Sequence, residues 1–509
     1  MFSQELVREV LSTVFTFQNI GGMSLGIFVG TILGAIPGLT STMGIALAVS
    51  FTYGINPATA IMVLMGAYKG GIWGGSIAAV LAGTPGAPGS AATVADGFAL
   101  AQKGQGRKAL KMALYSSVVA DLFSDFVLLF LAAPLSAIAL YFGPPELFAL
   151  VLFSLMMVGS APTIRPTTKR LGLTKGVIAG FIGLMLATVG LEPFSGTPRF
   201  IFGTYHLYEG INLTALLIGL LSMSELITQI TRRQNLGTME AVYLPPPASK
   251  ADSRVSLREF ASRWKILLSG AIGGTAIGII PGIGPTVGAF VGYDCAQKFS
   301  KEKEKLGHGS LDGIAGAEAG NSAVSGANLI PLLALGVPGD VCAAILAGVF
   351  LIHGVPIGPG LVQKEPVLVY SIIFGLITAN FLNLIIGYVL IYTFSFIVRF
   401  KGVYLFPVLM FLCIVGAYSR TRNLFDVGVV IVFGFVGVLL RRLNIPLAAL
   451  VIGFILGPMC ELSLYQSLVI SRGSPLIFFQ RPIALVFVVL TIIFAVSRIL
   501  SAKGEKIQT

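Results

Sequence analysis

Two short clusters hold most of the polar side chains able to meet a small ligand inside an otherwise apolar chain. The first runs Tyr68-Lys69-Gly70-Gly71-Ile72-Trp73-Gly74-Gly75-Ser76 and resumes as Gly83-Thr84-Pro85-Gly86-Ala87-Pro88-Gly89-Ser90. It reads as a hairpin dipping into a membrane, with a tip of small residues near 84–90. The hydroxyls of Thr84 and Ser90, with free backbone N–H groups around Pro85 and Gly86, are suited to holding a carboxylate. A phosphate-binding loop is excluded, because the Gly-Lys-Ser/Thr ending is missing and two prolines remove donors. Lys69 is the lone charge between Glu9 and Asp96. Either it meets an anionic substrate within the membrane or it snorkels to the surface, and both readings stand.

The second cluster is Glu318-Ala319-Gly320-Asn321-Ser322, followed by Gly336-Val337-Pro338-Gly339-Asp340. Asn321 and Ser322, with the Pro338-Gly339 tip, are expected to bind substrate. Glu318 and Asp340 are candidates for a coupling cation or proton, with helix termination as the alternative. Asp96-Gly97 and Lys103-Gly104-Gln105 are explained by helix capping and loop anchoring.

The elements that position these clusters repeat. Gly30-Thr31-Ile32-Leu33-Gly34-Ala35-Ile36-Pro37-Gly38 recurs as Gly274-Thr275-Ala276-Ile277-Gly278-Ile279-Ile280-Pro281-Gly282, and Gly83-Thr84-Pro85-Gly86 is answered by Gly336-Val337-Pro338-Gly339. Proline removes a donor and glycine permits a sharp turn, so each motif breaks a helix and frees backbone groups. Such groups cannot face lipid and must line a cavity or meet a ligand. Carbonyls around Gly34, Pro37, Gly38, Gly278, Pro281 and Gly282 are therefore expected to serve a coupling cation such as Na⁺. The basic loop at 103–111 has a counterpart near 355–366 with one lysine, which predicts that the repeats are inverted.

Composition sets the class. Of 509 residues, 55% are hydrophobic and only 11% charged, against about 25% in soluble proteins. Mean hydropathy is +0.89. The expected fold is an all-α polytopic membrane protein: about twelve transmembrane helices in two inverted repeats, with broken helices and re-entrant hairpins. The division predicted is an N-terminal segment (1–19), a first repeat (20–230), a cytoplasmic linker (231–263), a second repeat (264–460), and a final helix with its tail (461–509). No cleavable signal peptide is evident, so the whole chain is expected to be the mature membrane protein. The net charge of +12 is assigned to orientation in the membrane, not to nucleic acid. No nucleophile–base pair, redox cysteine pair, metal-ligand spacing or nucleotide-binding domain is present, so neither an enzyme nor a cofactor is expected.

These segments resemble the large membrane subunit of the tripartite tricarboxylate transporter family. The likeness rests on Gly30 to Gly38, Tyr68 to Ser76, Thr84 to Thr93 with Asp96-Gly97 and Lys103-Gly104-Gln105, Glu318 to Ser322, and Gly336 to Gly339, and it covers roughly 20–460. It implies a bacterial inner-membrane location, a small membrane partner subunit and a periplasmic solute-binding protein. It also implies a Na⁺ or H⁺ gradient as driving force and a carboxylate cargo such as citrate or a related di- or aromatic carboxylate. Two residues depart from the pattern. Lys69 replaces an uncharged residue, often Tyr, and Asp340 replaces a small one. The competing expectation is a passive anion channel or a non-transporting scaffold subunit.

Overall fold

The computed structural model describes residues 3–36, 39–159, 169–231, 245, 247–397 and 402–503. In the first half the principal helices are α1 (Gln4–Val14), α2 (Phe17–Ala35), α3 (Ser41–Val49), α4 (Pro57–Ala82), α5 (Ala91–Gln102), α6 (Gly106–Ala139), α7 (Pro144–Gly159), α8 (Lys169–Ala187) and α9 (Leu213–Thr231). The second half holds α10 (Trp264–Ile279), α11 (Pro285–Phe299), α12 (Leu311–Ala327), α13 (Leu329–Leu335), α14 (Val341–Ile352), α15 (Pro366–Ile397), α16 (Gly402–Thr421), α17 (Leu424–Arg442), α18 (Leu447–Ile470) and α19 (Pro482–Lys503). Among the described residues the one strand pairing joins Gly190–Leu191 to Pro198–Arg199.

Six helices, α2, α6, α9, α15, α17 and α18, are long and apolar enough to cross a bilayer; shorter apolar helices, such as α7, α10 and α14, stand beside them. The solvent logic matches a lipid-facing rim. Phe126, Phe130 and Ile138 on α6, and Val432 and Phe435 on α17, are exposed, while Lys69, Asp125 and Glu318 are buried.

The helix breaks follow from the sequence. The residue before a proline is driven out of the α region. Ile36 (φ −91°, ψ 117°) ends α2, and Ile280 (φ −83°, ψ 117°) ends α10 in nearly the same conformation. Pro37 and Gly38 lie outside the described residues. Farther on, Gly83 (φ 66°) and Gly336 (φ 75°) end α4 and α13 in the left-handed conformation that glycine adopts without steric cost. The Thr84-Pro85-Gly86 and Val337-Pro338-Gly339 tips then lead into α5 and α14. The halves differ at Asn328, where the second helix is jointed between α12 and α13.

Rows of small residues bring the broken helices into backbone contact, the packing that membranes favour. A Cβ on Gly26 or Gly30 would lie 2.1 or 2.2 Å from the carbonyl oxygens of Val63 or Ala67 on α4. In the second half a Cβ on Gly274 would lie 2.3 Å from the Gly320 oxygen on α12. At one end of the bundle the segment 249–263 docks through Lys108–Glu259 (2.8 Å) and Gln105–Asp252 (2.9 Å). Hydrogen bonds from Ser249 hold the Asp252 carboxyl below its usual range. Residues 232–244 and 246 of the linker lie outside the described residues. At the same end Asp96 anchors a loop: its Oδ1 accepts the N–H groups of Gly307, Gly309 and Ser310, and its Oδ2 accepts the Tyr293 hydroxyl.

Candidate functional site

Three polar layers lie between the broken helices and the long helices α6 and α15. The first surrounds Glu318, which is 0% exposed. Ser76 of α4 (2.6 Å) and Thr93 of α5 (2.5 Å) donate to its Oε1, and Ser117 of α6 (3.2 Å) to its Oε2. Asn321 also hydrogen-bonds this carboxyl. Thr93 sits in the first turn of α5, where the helix end carries positive partial charge. Among the described residues no ion pair engages Glu318. This carboxyl is therefore held entirely by hydroxyl, amide and dipole groups, an oxygen-rich shell of the kind hard cations accept.

The first tip closes onto this layer. Gly86 is in contact with the Gly34 carbonyl and with Gly75, to whose oxygen its N–H donates (3.2 Å). Gly89 abuts the Asn321 amide so closely that a Cβ there would lie 2.3 Å from Oδ1. Ser90 precedes α5 without capping it, and its buried hydroxyl has no partner; the buried Ser322 hydroxyl has none either.

The second layer surrounds the other tip. Asp340 caps α14 by accepting the Ala343 N–H (2.7 Å) on Oδ1, and accepts the Tyr68 hydroxyl (2.8 Å) on Oδ2. Asn328 donates to the same Tyr68 oxygen (2.8 Å). Gly282 (φ 87°) donates its N–H to the Gly339 carbonyl (2.7 Å), and Gly339 packs on Asn328. The two tips thus engage the opposite half in a matched way. Tyr68 and Asn321 each stand fifteen residues before the glycine ending their helical segment, Gly83 and Gly336, and each touches the other half's tip.

The third layer surrounds Lys69. Its ammonium lies 2.7 Å from Asp121 and 2.9 Å from Asp125, both on α6. Ser325 of α12 donates to Asp121 (2.5 Å), and Asn380 of α15 to Asp125 (2.7 Å). These layers also set helix direction. From Lys69 to Ser76 α4 runs forward, while its partners run backward, from Asp121 to Ser117 on α6 and from Ser325 to Glu318 on α12. The two matched helices, α4 and α12, therefore lie antiparallel.

The chain matches the tripartite tricarboxylate transporter TctA family over residues 20–452. It belongs to that family. A similar relative from Agrobacterium vitis, described as an uncharacterised 52.8 kDa protein in the TAR-I ttuC′ 3′ region, is 33% identical over 474 residues, covering 93% of this chain and 91% of that protein. A second, described as an uncharacterised protein in the TAR-II ttuC′ 3′ region of Agrobacterium vitis, is 35% identical over 211 residues, covering 42% of this chain and 87% of that protein. No solved structure matches the chain.

This TctA-family chain is thus a multi-pass membrane component of a tripartite transporter. Of the residues expected to form its site, the fold gathers Gly86, Ser90, Asn321, Ser322 and Glu318 at one tip. Pro338, Gly339 and Asp340 stand at the other, where the backbone of Gly282 joins them. Thr84 and Pro85 are exposed, away from the Glu318 layer. Lys69 turns to two aspartates, and its 0% side-chain exposure excludes snorkelling. Both Asp340 oxygens are taken, which fits the helix-terminating alternative. Gly34 and Gly278 sit at helix-packing contacts. Asp121, Asp125, Asn380 and Tyr68 were not anticipated as site residues. The available signal was two acids one helical turn apart within the apolar run 113–141.

Proposed function

We propose that this chain is the substrate-translocating subunit of a cation-coupled, binding-protein-dependent importer of carboxylates. Its cargo class is a tricarboxylate such as citrate or a related di- or aromatic carboxylate. The observation that carries the reading is the first tip: Gly89 of one half is brought against Asn321 of the other, and the next residue of each segment, Ser90 and Ser322, has a buried hydroxyl without a partner. Buried hydroxyls rarely go unpaired, so this is where a cargo carboxylate is held, with the N-terminus of α5 contributing its dipole. Glu318, in its oxygen shell, is assigned to the coupling cation, Na⁺ or H⁺, together with carbonyls of the helix breaks.

The two halves are read as inverted repeats, supported by the antiparallel course of α4 and α12 and the reciprocal tip contacts. The shorter apolar helices are counted as further crossings, toward about twelve. The partners are a small membrane subunit and a periplasmic solute-binding protein, and the location is the bacterial inner membrane.

The test is uptake of labelled di- and tricarboxylates into proteoliposomes holding this chain with its small partner. It is run with and without the binding protein, and with and without a Na⁺ or proton gradient. Accumulation that requires the binding protein and a gradient is expected. Flux that only equilibrates, indifferent to both, would replace this reading with a passive channel. Ser90→Ala and Asn321→Ala are expected to lose uptake at unchanged abundance in the membrane.

A further inference from the structure

The Lys69 layer is a second ionic centre, distinct from Glu318, and its charges do not balance. One ammonium faces two carboxyls, all buried, and contributes from two kinds of element: Lys69 from the tip-bearing helix α4, and Asp121 and Asp125 from the long helix α6. Uncharged polar groups complete it, Ser325 from α12 and Asn380 from α15. Fully ionised, the centre carries one uncompensated negative charge in the protein interior, which is expensive without a further partner.

The oxygen inventory locates the imbalance. Asp121 uses both oxygens, Oδ1 for Ser325 and Oδ2 for Lys69. Asp125 uses Oδ2 for Lys69 and Asn380. Its Oδ1 is buried and has no donor at all. That oxygen points at the bare Cα of Gly326, where a Cβ would lie 2.3 Å away. A metal cation has no place here: the ammonium already fills the position between the carboxylates, and the space beyond Oδ1 is closed by backbone. A proton needs neither.

We infer that the Lys69–Asp121–Asp125 centre binds one transported proton, and that Asp125 is the residue protonated; this rests on the reading of the chain as a coupled carboxylate importer. The proton is taken from the outer solution with the cargo and released to the inner solution after translocation, and Asp125 returns as carboxylate. Any movement that separates Lys69 from the two acids would raise their proton affinity, because facing carboxylates without a cation between them hold a proton more tightly. Proton affinity is thereby tied to conformation. Another carboxyl on this seam, Glu318, is reached through Ser117, one turn before Asp121 on α6.

The test uses the complete transporter in proteoliposomes, with equal Na⁺ on both sides and an imposed pH step, acid outside. Each pH unit is worth up to about tenfold in accumulation per coupled proton. The wild type is expected to accumulate labelled carboxylate under the pH step. Asp125→Asn, nearly the same shape as the protonated acid, is expected to lose that response while still exchanging labelled for unlabelled carboxylate. Asp125→Glu, which keeps a titrating group, is expected to retain the response with a shifted pH midpoint. Asp125→Asn that still answers the pH step overturns the inference, as does a wild type driven by Na⁺ alone and indifferent to pH. A wild type that neither accumulates nor exchanges carboxylate overturns the importer reading, and the proton site with it.

Discussion

Gly89→Ala isolates the contact on which the site assignment rests. Gly89 is not in the left-handed region, so alanine is compatible with its backbone, and the effect is steric alone. The new Cβ would lie 2.3 Å from Asn321 Oδ1 and 3.0 Å from Cγ, against 3.4–4 Å for ordinary contact. Either the tip or the Asn321 amide must retreat by about 1 Å, a displacement that costs on the order of a hundredfold where positioning matters. In free energy that is about 2.7 kcal/mol. Asn321 also bonds Glu318, so its retreat disturbs the cation layer as well. The assay is initial uptake of labelled carboxylate at matched membrane abundance, with Gly21→Ala as control, since a Cβ there meets nothing within 4 Å. Wild-type uptake by Gly89→Ala would refute a cargo site at this apposition.

Three further outcomes are expected. Glu318→Gln keeps the shape but removes the charge that Ser76, Thr93 and Ser117 stabilise; with charge-assisted bonds contributing about 1.5–3 kcal/mol each, gradient-driven uptake should fall at least tenfold at constant abundance. Gly30→Leu and Gly274→Leu force side chains into backbone at 2.2 and 2.3 Å, so each should lose at least about 1–3 kcal/mol of stability, read as lower abundance and earlier thermal unfolding in detergent. Asp96→Ala strips the acceptor from three backbone N–H groups, and should lower the unfolding temperature and speed proteolysis at 307–310, whereas Asp96→Asn, which keeps an acceptor oxygen, should be milder.

The apolar class, the helix breaks and the paired tips could be read from residue order alone because their causes are local. Ile36 and Ile280 leave the helix because a proline follows, and Gly83 and Gly336 adopt a left-handed conformation that glycine adopts at no steric cost. The self-match of the two motifs pointed to a repeat and to the Pro-Gly tips, while Asn321 and Ser322 stood out as polar residues in an apolar stretch. Partner choice between distant segments was not local. Lys69 read equally well as a substrate ligand or a surface group, and only the packing of α4 on α6 set it between Asp121 and Asp125, more than fifty residues away. Asp340 read as a coupling acid or as a helix terminator, and only the fold shows its two oxygens meeting the Ala343 N–H of α14 and the Tyr68 hydroxyl. A buried charge reveals in sequence only that it must be answered; which group answers it depends on which helices the glycine rows bring into contact, and that is decided in three dimensions.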